Sequence, residues 1–392
     1  MMLCLLLFNA AIDWYVMRQI THRVKAHPRL WWNIELYSAI AITLLLVGAI
    51  IVPAGKGADI MLEAKTWLLF GYLSVYIPKF LAVVFDLLAS IPRLFGHRRI
   101  KALTAAGIFI AAASFLAMWW GALINRFNLQ TTEVTVEIAD LPPAFDGYRI
   151  VQISDMHTGT YDTDTTFISR LVDSVNAIGA DAIMFTGDIV NRETSELMPF
   201  TGTLSRLKAP DGVFAILGNH DYGDYYAWDT PADKVANMQK LYDAYAAMGF
   251  RLMRNETAWL RRGNDSIAVI GVENIGEPPF PVYGSLTKSY PDLSDPVSKI
   301  LLTHNPSHWV DSISGHDDVR VPLTLSGHTH AMQIEVAGVS PAAMRYPTWG
   351  GLYADTDRRH QLYVNIGTGT VGMPMRLGAT PEITVLTLRR RR

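Results

Sequence analysis

The chain has 392 residues, half of them hydrophobic, with 34 Lys+Arg against 36 Asp+Glu and a formal net charge of −2. That length accommodates two or three domains, and the single cysteine, Cys4, excludes an intrachain disulfide and any cysteine-cluster metal site. Charge is unevenly placed: residues 1–126 carry 12 Lys+Arg and 5 Asp+Glu, a net of +7, whereas the remainder carries 22 and 31, a net of −9.

The basic part reads as membrane. Residues 36–55 and 102–125 contain no charge and are long enough to cross roughly 30 Å of hydrocarbon as helices. Residues 66–92, interrupted by Pro78, Lys79 and Asp86, form a third candidate, and residues 2–17, containing Asp13, a shorter first one. We expect an all-α transmembrane domain of about four helices over residues 1–126. Lys79 and Asp86 lie seven apart on one helical face, placed to pair with each other's neighbours or with Asp13; an ion path is the functional alternative. Arg18, Arg23, Lys25 and Arg29 lie in one inter-span loop and Arg93, Arg98, Arg99 and Lys101 in another, while the loop between has only Lys56 and Lys65. Basic short loops stay cytoplasmic, which sends everything after Arg126 to the extracytoplasmic face.

After a short polar linker near 126–132, residues 127–392 read as an α/β domain. Short apolar runs end at 148–155, 180–188, 212–221, 299–306 and 321–330, with helical periodicity between the first two and after the third. At the carboxyl ends of these runs stand Asp155 and His157, then Asp188, then Asn219, His220 and Asp221, then His304, then His328 and His330. Loops leaving that edge of an α/β sheet converge on a common crevice. Five of the eleven histidines are there with three Asp and one Asn, a combination that packing alone does not explain. Carboxylate, amide oxygen and imidazole without thiolate suit Mn²⁺, Fe or Zn²⁺. Seven candidate ligands exceed the need of one ion and suit two, about 3.5 to 4 Å apart and bridged by a carboxylate. In "LSGHTH", His328 and His330 stand one residue apart and are read as each addressing a different one of two neighbouring ions.

"SDMH", "GDIVN", "GNHD", "LLTHNP" and "SGHTH", in this order, resemble the five signature blocks of the calcineurin-like metallophosphoesterases. The segment 362–388 is similar to the closing strands of a membrane-attached bacterial subgroup. The resemblance covers residues 133–392 and implies a two-sheet sandwich flanked by helices. It implies that Asp155, His157 and His330 hold a first metal, that Asp188 bridges, and that Asn219, His304 and His328 hold a second. It further implies that His220 donates a proton to the leaving group, oriented by Asp221, with a metal-bound hydroxide as nucleophile. The chain departs from the pattern at Ala331 and Met332, where relatives often have two glycines, and at Asn191, where many carry an acidic residue near the catalytic histidine.

His308 reads as a surface histidine, Arg192 and Arg376 as salt-bridge formers rather than phosphate grips, and Arg389–Arg392 as a solvated tail. The expectation is a multi-pass inner-membrane hydrolase of a phosphate ester or pyrophosphate, acting on a phosphorylated small molecule or lipid beside the bilayer, with no nucleic-acid partner. Two alternatives stand: a cytoplasm-facing pyrophosphatase of the UDP-diacylglucosamine type, and an inactive membrane scaffold. The insert Asn274–Pro296 carries no readable motif.

Overall fold

The computed structural model describes residues 2–52, 59–278 and 280–391. Lys56, residues 53–55 of the second expected span and Arg392 lie outside them. The chain divides into two compact units: residues up to Leu123 with Gly372–Met375, and Ile124–Val371 with Arg376 onward.

The first unit contains helices α1 (Met2–Arg23), α2 (Pro28–Ile51), α3 (Asp59–Ser90) and α4 (Lys101–Leu123). Among the described residues three helices are long and apolar enough to cross a membrane: Pro28–Ile51, Met61–Phe95 and Lys101–Phe127. α1 is helical throughout but is not one of them. α2 begins eight residues before the expected start because Pro28 occupies its first turn, where a fixed φ helps and a missing N–H costs nothing. Pro78 lies inside α3 without ending it.

The buried acidic side chains Asp13, Glu35 and Asp86 of this unit are paired with basic ones, as intramembrane charges must be. Lys79 Nζ lies 2.9 Å from Asp13 Oδ1 and 2.6 Å from Glu35 Oε1. Asp86 accepts from Arg23 at 2.7 and 2.8 Å, from Arg99 at 2.6 Å and from Tyr15 at 2.7 Å. Each network ties helices together, the structural role expected for Lys79 and Asp86.

Among the described residues the second unit has twelve strands: β1 (Gln130–Ile138), β2 (Arg149–Ile153), β3 (Ala182–Phe185), β4 (Val213–Ala215), β5 (Phe250–Leu252), β6 (Glu256–Arg262), β7 (Asp265–Gly271), β8 (Lys299–Leu302), β9 (Leu323–Ser326), β10 (Gly351–Ala354), β11 (Gln361–Val364) and β12 (Glu382–Arg390). They form two six-stranded sheets, ordered β1-β12-β2-β3-β4-β5 and β10-β11-β9-β8-β7-β6. Strands β2 to β5 are mutually parallel, as are β7, β8, β9 and β11. The polar linker expected at 126–132 gives way to β1 at Gln130, because β1 pairs along its whole length with β12, more than 240 residues away.

Period-2 alternation sorts the side chains into layers. Ile150, Ala182 and Met184 of the first sheet meet Ile300, Leu302, Leu323, Leu325 and Tyr363 of the second in one central core. Val151, Ile153, Ile183 and Phe185 face the other way, against Phe167, Leu171 and Val175 of α5 (Thr166–Ile178) and against Leu241 and Tyr245 of the helix Pro231–Ala247. Leu301, Leu362 and Val364 cover the outer face of the second sheet with Trp309 and Ile313. Each fully buried aliphatic side chain contributes about 1.5–3 kcal/mol, so both sheets are held from two sides. The expected sandwich flanked by helices is the observed fold.

Candidate metal centre

All five expected strands are present, and β2, β3, β4, β8 and β9 release their chains at one edge, where the ligand-type residues stand. The loops there are strained. Asp155, His157, Asp188, His328 and His330 all have φ between 48° and 75°, a conformation costing a residue with a Cβ about 1–2 kcal/mol. Neighbouring backbone offsets the strain: Asp155 N–H donates to Gly187 O at 2.9 Å, His157 to Asp188 O at 3.2 Å, and His328 to both Asp155 carboxylate oxygens at 3.1 Å. Such outliers gather where geometry is held for function. Two glycines make the approach possible. Gly187 has φ 96°, and a Cβ on Gly218 would lie 2.1 Å from Asp188 Oδ1.

The side chains converge in two groups, Asp155, His157 and His330, and Asp188, His304 and His328, with the ligand atoms of each within 4.8 Å of one another. In the first, His330 Nε2 lies 3.2 Å from Asp155 Oδ1 and 3.1 Å from His157 Nε2. In the second, Asp188 Oδ2 lies 3.1 Å from His304 Nε2. Asn219 joins it, its Oδ1 2.9 Å from His328 Nδ1 and 3.1 Å from His304 Nε2. Asp188 Oδ2 is also 3.7 Å from His157 Nε2, so one oxygen stands near both groups. His328 and His330 enter different groups although residues two apart on an extended strand share a face: β9 ends at Ser326 and both histidines are left-handed, so neither follows strand geometry.

These residues fit divalent cations. Carboxylate and amide oxygens stand among imidazole nitrogens in these groups, and His304 keeps its other nitrogen, Nδ1, 2.8 Å from Thr186 O, which leaves Nε2 as the ligand atom. Burial pushes the Asp188 carboxyl up, but the imidazoles around it, His304 foremost, outweigh this and hold it well below the usual carboxylate range. Burial disfavours the charged form of His304, yet Asp188 outweighs that and raises it to about 9. A proton thus balances the carboxylate where a cation would.

His220 lies beside both groups, its ring edge-on to His157 at 4.9 Å and stacked on Tyr225 at 4.4 Å. Its Nδ1 is 2.7 Å from the main-chain oxygen of Asn191. The departure at Asn191 therefore leaves this support intact, since the carbonyl serves and not the side chain. Asp221, expected to orient His220, does not: its buried carboxylate accepts from the backbone N–H groups of Asp188, Ile189, Val190 and Gly218 at 2.8–3.2 Å. It shapes the Asp188 loop. Burial, reinforced by the Asp188 charge, raises this carboxyl to about 7.

Three further expectations are corrected or refined. His308 is not on the surface; it is 3% exposed, its Nδ1 2.9 Å from the Thr303 hydroxyl, and burial lowers it to about 4. Arg376 is fully buried and, among the described residues, has no carboxylate partner; it donates to the carbonyls of Gly369, Ala379 and Ile366 at 2.8–3.0 Å, and Nη2 sits 3.3 Å from His330 Nδ1. Ala331 and Met332 adopt φ of 52° and 45° despite their side chains. Arg192 does meet Glu196, at 3.7 Å. The residues missed in sequence are Tyr225 and Tyr346, whose hydroxyls contact Asn219 Nδ2 and His328 Nε2, each at 3.0 Å. Tyr225 lies six residues past Asn219 in an aromatic run; Tyr346 has no local signal.

Comparison with known proteins bears on this arrangement. Residues 148–332 match the calcineurin-like phosphoesterase family, and residues 1–126 match a family described as "Probable Calcineurin-like phosphoesterase, transmembrane domain". The uncharacterized metallophosphoesterase YkuE of Bacillus subtilis is 34% identical over 297 residues, covering 73% of this chain and 93% of that protein. The chain belongs to the calcineurin-like phosphoesterases. Another relative is a transmembrane protein with metallophosphoesterase domain from Danio rerio, 27% identical over 82% of this chain and 72% of its own length. A third is the UDP-2,3-diacylglucosamine pyrophosphatase LpxG of Chlamydia trachomatis, 26% identical over 72% of this chain and 96% of its own length. As a calcineurin-like phosphoesterase the chain is a metal-dependent phosphoric ester hydrolase, and its apolar helices and transmembrane-domain match make it a membrane protein.

Proposed function

We propose that this membrane-anchored phosphoesterase uses two divalent transition-metal ions, Mn, Fe or Zn, to hydrolyse a phosphate ester or pyrophosphate bond. The observation carrying this reading is the position of Asp188, whose Oδ2 lies near His304 of one ligand group and His157 of the other. Asp155, His157 and His330 would hold one ion, Asn219, His304 and His328 the other, with Asp188 between. When bound, such a pair polarises phosphoryl oxygens and lowers the pKa of a water it holds. The protein's own part is orientation and proton delivery. His220, fixed through Nδ1 by Asn191, has Nε2 left to protonate the leaving oxygen. Asp221 holds the Asp188 loop in its strained conformation.

The test uses the full chain purified in detergent. Reconstitution with Mn²⁺ is expected to give two ions per chain by elemental analysis, and hydrolysis of an aryl phosphomonoester or phosphodiester only with metal. Trace metal and no turnover after reconstitution would refute the reading and favour a scaffold. A substrate screen that includes phospholipids and sugar-nucleotide lipids then addresses specificity, since LpxG is named for a lipid-linked sugar nucleotide.

The proposed location is an inner cell membrane, crossed by the three long apolar helices α2, α3 and α4 with α1 as the fourth span of the sequence reading, and with residues 127–392 as an extracytoplasmic catalytic domain. Eight Lys+Arg lie in the two loops placed inside, against Lys56 and Lys65 outside. Arg23 and Arg99 both reach Asp86, which supports putting the two basic loops at the same end of the bundle. A reporter active only outside the cytoplasm, fused after Arg392, is expected to work, and a cytoplasm-only reporter to fail. The reverse pattern would make a cytoplasmic lipid-linked nucleotide the favoured substrate.

A further inference from the structure

Two phenols flank the second ligand group, and their hydrogen bonds run in one direction. Asn219 Nδ2 donates to Tyr225 Oη at 3.0 Å, which turns the amide so that Oδ1 faces His304 and His328. His328 presents Nδ1 to that group, so its Nε2 carries the hydrogen when Nδ1 is a ligand, and this N–H points at Tyr346 Oη, 3.0 Å away. Each hydroxyl is thus an acceptor from a ligand residue. A phenol also has a hydrogen to donate, and among the described residues neither hydroxyl gives its own to a protein acceptor. Both rings are only half-buried, Tyr225 being 37% exposed. Tyr225 is stacked on His220 and Tyr346 stands edge-on to His328, with centroids 5.5 Å apart. Tyr225 therefore stands between the proton-donating histidine and Asn219 of the second ligand group, and Tyr346 stands at the outer nitrogen of His328.

We propose that Tyr225 and Tyr346 are substrate-binding residues whose phenolic hydrogens are donated to non-bridging oxygens of the phosphoryl group undergoing hydrolysis. The proposal rests on the hydrolase reading above. Preorganised neutral donors of this kind stabilise charge that accumulates on phosphoryl oxygens, and their rings exclude water around it. The hydroxyls also fix the second group's ligands, a positioning effect that the test must separate from substrate binding.

Tyr225→Phe and Tyr346→Phe keep the rings, their stacking and the fold while deleting one hydroxyl each. In the full chain in detergent, reconstituted with Mn²⁺, we expect cation content equal to wild type and affinity for inorganic phosphate, read by titration calorimetry, lowered about three- to tenfold by each substitution. On an aryl phosphate, kcat/KM is expected to fall by at least the same factor. Wild-type phosphate affinity in both variants would overturn the proposal. So would loss of cations at unchanged phosphate affinity per loaded chain, since the phenols would then act only on the ligands. Phosphate binding is read without turnover, so a wild-type protein that binds phosphate but hydrolyses nothing refutes the hydrolase reading and still leaves this proposal to be judged by the Phe variants.

Discussion

His220→Ala is expected to lower turnover on an aryl phosphate by roughly 10² to 10⁴, the range for losing a general acid, while cation content stays at the wild-type value. The separation follows from which atoms of His220 touch the ligand groups. Its backbone N–H donates to Asp188 Oδ1 at 2.8 Å, and alanine keeps that bond. Its imidazole is held from behind by Asn191 O and from the side by Tyr225, and among the described residues it makes no hydrogen bond to a ligand side chain, touching His157 only ring edge to ring. The deficit should shrink for substrates whose leaving group is a good anion, because such a group needs no proton. Elemental analysis beside kcat on nitrophenyl and alkyl esters checks both statements. Metal loss in this variant would make His220 a ligand and the assigned role wrong.

The residues that converge at the sheet edge were legible because ligand chemistry is local. Asp155, His157, Asp188, Asn219, His304, His328 and His330 each end an apolar run, and a run with parallel neighbours has one possible outlet edge. What escaped the sequence depends on distance or on main-chain atoms. The carbonyl that orients His220 belongs to Asn191, and any residue could supply it, so no residue type announces it. Asp221 sits beside His220 in sequence, but the tight turn Asn219–Tyr222 sends its carboxylate back under the Asp188 loop. Tyr346 reaches His328 across eighteen residues of irregular chain.

The fold shows the same division. β1 joins the sheet through β12, from the opposite end of the second unit, while β12 is also held by β2. The β6–β7 hairpin is local, closed through Gly263 and Asn264, but β6 reads Glu-Thr-Ala-Trp-Leu-Arg-Arg, too polar to stand out among the Ile/Val/Leu-rich runs. Arg376 misled in the other direction. A lone arginine near the terminus suggests a salt bridge, whereas its guanidinium meets three carbonyls and His330, a use of its donors that sequence cannot distinguish.

Asp188→Asn is expected to do what His220→Ala does not: cation content falls well below two per chain, and turnover falls further than in the histidine variant. Of the seven ligand residues only Asp155 and Asp188 carry negative charge, so the substitution removes half of the protein's countercharge to two divalent ions. Asp188 Oδ2 also lies near both groups, 3.1 Å from His304 Nε2 and 3.7 Å from His157 Nε2. An amide in its place offers one weakly basic oxygen, and its N–H₂ directs hydrogens where a cation's charge would stand. The fold should survive. Asp188's backbone remains held by Asp221, and in the metal-free protein the loss of the carboxylate lets the buried His304 shed the proton that it now carries on account of Asp188. Circular dichroism matching wild type, with metal analysis showing loss from both sites, is the expected pair of results. Retention of two ions by the folded variant would show that Asp188 does not bridge, and the two-ion reading would have to be rebuilt without it.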